Sequence, residues 1–62
     1  MADFIEVTEI SKSENESKRW ISKYQIISME SDERHSRTFI KYGKEEFNVR
    51  ETVEQILEKF KK

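Results

Sequence analysis

Apolar and polar residues alternate in several short runs along this 62-residue chain, and the alternation predicts strands. The first run is FIEVTEI, residues 4–10. Ile5 and Val7 fall on one face there, with Glu6 and Thr8 on the opposite face. The run is rich in β-branched residues, which favours a half-buried strand over a helix.

Two further strands flank the chain's only glycine, Gly43. In RTFIKY, residues 37–42, the alternation places three residues on each side: Thr38, Ile40 and Tyr42 against Arg37, Phe39 and Lys41. In EEFNV, residues 45–49, the two apolar residues share one face. Glycine adopts a positive φ without steric cost, so Gly43 and the lysine after it predict a tight hairpin.

The stretch between the first strand and this hairpin is harder to interpret. Residues 11–18, SKSENESK, are wholly polar and predict a solvated loop. Residues 19–30, RWISKYQIISME, fit either a helical face or buried strands, and their β-branched and aromatic content favours strands. We expect a break near 22–24 that leaves a short piece before it, then a longer strand over 25–30 and a polar turn over 31–36.

The last segment predicts an amphipathic helix. Its apolar residues recur at helical spacing: Val53, Ile56, Leu57 and Phe60. Thr52 and Gln55 have the spacing of a capping box, in which each side chain bonds the other residue's backbone N–H. Acidic residues lie near the start and lysines near the end, as the helix dipole favours.

Together these elements predict an α+β fold: a small antiparallel sheet of three to four strands with one C-terminal helix packed on one face. Residues 1–62 form a single domain. A domain of this length buries only about 60% of the surface of its unfolded chain, so self-association is one way to add stability.

Composition narrows the classes of function. The chain has 12 basic and 13 acidic side chains, so it has no net field to attract nucleic acid or an anionic membrane. It has no cysteine, which fits a reducing compartment. The N-terminus lacks a secretory pattern, and no window approaches a membrane span. We expect a cytoplasmic protein without a membrane association, a cofactor or a metal.

Catalytic chemistry has little support in these residues. Gly43 stands alone, so no glycine-rich phosphate loop is present. A serine nucleophile would need His35, the single histidine, as its base. His35 lies in a predicted turn crowded with charges, and an exposed loop histidine is the simpler interpretation. We therefore expect no enzymatic activity.

Aromatic residues exceed what one sheet face and one helix can cover. Strict alternation places Phe39 outside the core built by its neighbours. The candidate partner or oligomer surface consists of Phe4, Trp20, Tyr24 and Phe39. We expect this surface to bind a protein partner or a second copy, giving a homo-oligomer.

Basic residues interleave with these aromatics and offer an alternative. Aromatic side chains on a basic sheet face can stack the bases of a single strand. The possible nucleic-acid contacts are Lys18, Arg19, Lys23, Arg37 and Lys41. The competing interpretation is that the aromatics are core or oligomer contacts and the charges form a solvated rim.

Two segments, WISKYQIISMES and RTFIKYGKEEFNVRETVEQILEKF, resemble the FlbD-like small bacterial proteins. The similarity lies in an isoleucine-containing strand over 26–30, a hairpin at Gly43 and a helix that opens with 49–53, and it would cover most of the chain. It implies a non-enzymatic role in flagellar or swarming regulation.

The same region is also similar to the front half of LytTR domains. The similarity lies in IISMES, the hairpin and a helix opening on Val-Arg-x-Thr. This second resemblance implies DNA binding. The sequence thus leaves two functions open: a small regulatory protein-interaction module that self-associates, or a nucleic-acid-binding regulator.

Overall fold

The computed structural model describes residues 3–61 as a curled antiparallel sheet with one helix. Its elements are β1 (Phe4–Ile10), β2 (Glu16–Ser22), a 3₁₀ turn (Lys23–Gln25), β3 (Ile26–Asp32), β4 (Arg37–Tyr42), β5 (Glu45–Val49) and α1 (Val53–Lys61). The strands form one sheet in the order β2-β1-β5-β4-β3. The α+β prediction is confirmed, but the sheet has five strands instead of three to four.

The additional strand is β2, which the sequence predicts only as a short piece before the break near 22–24, since its first residues, 16–18, belong to the polar stretch 11–18. β2 pairs with β1 from Glu16 to Ser22 at seven positions. Its first three residues, Glu16, Ser17 and Lys18, are all polar, so apolar alternation does not mark the start of this strand. The actual turn between β1 and β2 covers only 11–15, and Glu14 adopts a positive φ of 65° there.

The hairpin around Gly43 forms as predicted. β4 and β5 have the predicted bounds, with Tyr42 paired to Glu45 across the turn. Gly43 has a φ of 59°, which a residue with a side chain rarely adopts. Its N–H also donates to the carbonyl of Gln25 at 2.9 Å, which ties the hairpin to the 3₁₀ turn.

The sheet curls so that the β1–β2 hairpin faces the other three strands. β1 pairs with β5 at only two positions, Glu9 with Val49 and Ile10 with Asn48. At the far end, the N–H of Ser22 in β2 donates to the hydroxyl of Tyr42 in β4 at 2.9 Å. The buried core lies between the two halves: Ile5, Val7, Ile21, Ile40, Tyr42, Phe47, Val49 and Ile56.

Helix α1 covers this core from the side where β5 leaves β1. Ile56 is fully buried, and Phe60 packs against the core cluster. Val53 is half-buried, but Leu57 is 48% exposed, so the prediction that Leu57 belongs to the buried stripe is wrong. The buried face is narrower because the helix contacts only β1 and β3 closely. In the part of the chain that the structure describes, no helix is long and apolar enough to cross a membrane.

The capping box at the start of α1 is confirmed. The Thr52 N–H donates to Gln55 Oε1 at 2.9 Å, and the Gln55 N–H donates to Thr52 Oγ1 at 3.1 Å. Two N–H groups of the first turn, which have no partner within the helix, are thereby satisfied.

Removing this cap is expected to destabilise the fold modestly. Thr52→Ala should lower the free energy of unfolding by about 1 kcal/mol, because one cap acceptor is lost. In a domain of this size that corresponds to a melting temperature lower by roughly 4–8 °C. Thr52→Ser keeps the oxygen and is the matched control. An equal loss in both variants, measured by thermal circular dichroism, would contradict the capping role.

Candidate interaction surface

Two of the predicted aromatic residues lie together on the outer face of the β1–β2 hairpin. Phe4 is 62% exposed and Trp20 is 65% exposed. Trp20 is opposite Glu6 and Phe4 is opposite Ser22 in the ladder, so the two rings are diagonal neighbours on the same face. Tyr24 follows in the 3₁₀ turn, is also exposed, and donates its hydroxyl to Asp3 at 3.4 Å. We call Phe4, Trp20 and Tyr24 the hairpin patch.

Phe39, the fourth predicted aromatic residue, lies elsewhere. It is on the outer face of β4, as the alternation predicted, but it is half-buried instead of fully exposed. Phe39 and Ile10 line a shallow outer-face pocket together with residues of the turn between β1 and β2. Arg37 donates to Glu14 of that turn at 3.2 Å. Phe39 therefore lies across a pocket from this turn and does not join the hairpin patch.

Arg19 is on the inner face of the sheet, away from the predicted basic surface. It is opposite Val7, and its guanidinium lies 4.4 Å from the ring centroid of Phe47 and 5.3 Å from that of Tyr42. The guanidinium also donates to Glu9 and Glu45 at 2.9 Å each. The hydrogen bonds to Glu45 and Glu9 raise the pKa of Arg19. The Arg19 side chain therefore has a structural role at the end of the core.

The remaining predicted basic residues do not form one patch. Lys18 lies on the outer face of β2 and donates to Thr8 Oγ1 at 3.0 Å. Lys23 pairs with Asp3 at 3.5 Å and lies over the ring of Tyr24. Arg37 is held by Glu14 as described above. Lys41 is exposed on the outer face of β4, opposite Glu46.

A set of polar contacts protects the second edge of β1, where β5 diverges from it. The Thr8 N–H donates to Glu51 Oε1 at 2.8 Å, and the Thr8 hydroxyl donates to Glu51 Oε2 at 3.0 Å. The Thr8 carbonyl accepts from the Arg50 N–H at 2.9 Å, and the Glu6 carbonyl accepts from Lys59 Nζ at 2.7 Å. We call Arg50, Glu51 and Lys59 the β1 clamp.

The sequence carried no signal for this clamp. Glu51 precedes a helix and looks like an ordinary acidic residue that favours the dipole. Its partner Thr8 is 43 residues away in the chain, and no local pattern links the two. The clamp explains why Thr8 is buried although the alternation placed it on the polar side.

Glu51 makes the stability of the fold sensitive to acid. Burial alone would raise the pKa of Glu51. The hydrogen bonds from Thr8 and from the backbone of Glu51 itself, together with the charge of Lys59, outweigh burial and lower this pKa. A carboxylate with a lower pKa in the folded state stabilises the fold above its unfolded pKa. This contribution is lost as the pH falls through the folded pKa.

We therefore expect the free energy of unfolding to fall between about pH 5 and about pH 3, and Glu51→Gln to flatten this dependence. Urea titrations at several pH values measure it. Glu54→Gln is a control, since Glu54 is an exposed acid of the first helical turn. An acid dependence that is the same in wild type and Glu51→Gln would contradict the role of Glu51.

His35 lies in the turn between β3 and β4. Its Nδ1 is 3.0 Å from Asp32 Oδ2, and this hydrogen bond lowers the pKa of Asp32. Both residues are at the surface, and His35 is exposed. Among residues 3–61, no group of three or more histidine or acidic side chains could hold a metal ion.

The sheet has two outer strands in the described part of the chain, and they differ in regularity. β2 and β3 are the outer strands of the sheet. β3 has an irregular register with β4 between Ile26 and Ser28, and the helix contacts this strand. β2 keeps a regular register along its whole length and has Trp20 of the hairpin patch on its outer face.

No protein-family model, curated protein or solved structure matches this chain.

Proposed function

We propose that the protein is a small, non-enzymatic regulatory module that self-associates and binds a protein partner through the hairpin patch. The observation that carries the proposal is the pair of large apolar rings, Phe4 and Trp20, which are diagonal neighbours on one outer face and are each more than half exposed. Apolar side chains grouped on a surface mark interaction sites, and tryptophan is among the residues most enriched at their centres.

The state of the basic residues supports a protein ligand over a nucleic acid. Arg19, Lys23 and Arg37 each pair with carboxylates of the same chain. A phosphate backbone would have to compete with those carboxylates, and the formal net charge is −1. Nucleic-acid binding is the alternative that the experiment below distinguishes.

The resemblance to the FlbD-like proteins supports a regulatory role. The proposal places the protein in the cytoplasm of a bacterium, in keeping with a chain that has no cysteine. Its biological process is then flagellar or swarming regulation. A motility phenotype on deletion of the gene, restored by the wild-type chain but not by Trp20→Ser, tests this assignment.

Light scattering after size exclusion tests self-association directly. We expect a mass above that of one chain at tens of micromolar, and the mass of one chain for Trp20→Ser. Leu57→Ser is the control, because Leu57 is a partly exposed apolar residue on the helix, outside the patch. A wild-type mass of one chain at all concentrations would contradict self-association.

Binding of labelled DNA and RNA decides between the two functions. If the proposal is correct, the protein at low micromolar concentration shows no salt-sensitive binding of the labelled DNA or RNA. Binding that weakens with salt and is lost in a Lys18→Glu, Lys41→Glu variant would support the alternative. Those two lysines suit the test because they are exposed and Arg19 is structural.

A further inference from the structure

The open edge of β2 presents a defined set of backbone groups. In an antiparallel ladder, residue pairs alternate between those that exchange hydrogen bonds and those that point away from each other. Thr8, which is opposite Lys18, gives both its N–H and its carbonyl to the β1 clamp on the side away from β2. Thr8 and Lys18 are therefore a pair that points apart.

The same alternation identifies the backbone groups of β2 that point away from β1. Lys18 directs its N–H and carbonyl away from β1, and so do Glu16 and Trp20, two residues before and after it. Ser22 also directs its backbone groups away from β1, but its N–H already donates to the hydroxyl of Tyr42. Among residues 3–61, the open edge therefore offers complete pairs of groups at Glu16, Lys18 and Trp20.

We propose that the occupant of this edge is β2 of a second copy of the chain, paired antiparallel about a two-fold axis at Arg19. The inference rests on the self-association proposed above and specifies its geometry. Lys18 of each copy then faces Trp20 of the other copy, and the two pairs exchange four backbone hydrogen bonds. The two sheets merge into one continuous sheet across the axis.

Side-chain chemistry favours this register over its neighbours. Each Lys18 lies opposite the exposed indole of the other copy, so its aliphatic stem packs beside the ring and its ammonium reaches the ring by turning away from Thr8 Oγ1. An axis at Lys18 would oppose two lysines, which is destabilising. An axis at Trp20 would place Lys18 against Ser22, whose N–H is occupied.

Two further features remove obstacles to the pairing. On the inner face, Arg19 meets its own copy across the axis, but each guanidinium is already neutralised by Glu9 and Glu45 of its own chain. The formal net charge of −1 gives two copies little mutual repulsion. The pairing also doubles the hairpin patch, since Phe4 and Trp20 of both copies lie on the same outer face of the merged sheet.

Amide hydrogen exchange at two protein concentrations tests the geometry. We expect the amides of Lys18 and Trp20 to exchange at least about tenfold more slowly at about 500 µM than at about 20 µM. The Thr8 amide, bound to Glu51, should not depend on concentration. A dimer by light scattering with no added protection at Lys18 and Trp20 would overturn this geometry and leave self-association intact. A mass of one chain at the higher concentration would overturn both.

Two substitutions at one position separate backbone from side chain. Lys18→Pro removes the N–H that the second copy needs while leaving the ladder with β1 intact, so the dimer should be lost. Lys18→Ala keeps the N–H and should retain dimerisation within about tenfold in affinity. Equal dimerisation of Lys18→Pro and wild type would contradict the proposal. If Lys18→Pro fails to fold by circular dichroism, the exchange result decides alone.

Discussion

Ile40→Ala is expected to leave a large share of the molecules unfolded at 37 °C. Ile40 is fully buried in the middle of β4, between Met29 on one neighbouring strand and Phe47 on the other. Truncating a buried isoleucine costs about 2–5 kcal/mol, because contacts are lost and a cavity stays. A chain of this length has a total stability of only about 3–9 kcal/mol.

Ile27→Ala provides a matched comparison for this substitution. It removes the same atoms from a residue that is 68% exposed, so its effect should stay within about 0.5 kcal/mol. Urea denaturation followed by tryptophan fluorescence and circular dichroism gives both values. Similar losses in the two variants would show that Ile40 is not the core residue that the structure places in β4.

Arg19→Ala is expected to be the most damaging substitution of a charged residue, at about 2–4 kcal/mol. It leaves Glu9 partly buried without its cation and exposes the rings of Phe47 and Tyr42 at the end of the core. Arg19→Met keeps an unbranched apolar side chain over the rings and should recover part of the loss. Arg19→Lys keeps the charge but not the planar two-pronged contact with Glu9 and Glu45.

The comparison among these three variants separates packing from charge. If stacking on the rings dominates, Arg19→Met should be more stable than Arg19→Lys in urea titrations. If pairing with the carboxylates dominates, the order should reverse. Wild-type stability in Arg19→Ala would contradict both roles. If Arg19→Ala strongly lowers the free energy of unfolding, weaker nucleic-acid binding by an Arg19 variant reflects loss of the fold. It is then no evidence that Arg19 contacts nucleic acid.

The correctly predicted elements are those for which nearby residues all favour the structure that forms. Gly43 provides the turn, alternation provides β4 and β5, and Thr52 with Gln55 provides the start of the helix. Each of these signals lies within a few residues of the structure it specifies. They required no knowledge of distant parts of the chain.

The misread elements depend on partners that are far away in sequence. The first part of β2 is a strand because β1 lies beside it, whereas the polar composition of residues 16–18 alone predicts a loop. Arg19 faces inward because Glu9 and Glu45 meet its charge there, while alternation counts any arginine as a solvent residue. Of the four predicted surface aromatics, Phe4, Trp20 and Tyr24 are exposed, whereas Phe39 is half-buried beside the turn between β1 and β2.

The β1 clamp has a consequence for the order of events during protein synthesis. β1 leaves the ribosome early, whereas the three residues that satisfy its second edge, Arg50, Glu51 and Lys59, are made after all five strands. Until then, a nascent β1–β2 hairpin has unsatisfied backbone groups along the second edge of β1, and such edges pair with other chains. Slow translation of the last dozen residues should therefore favour aggregation of this protein more than slow translation of its first dozen.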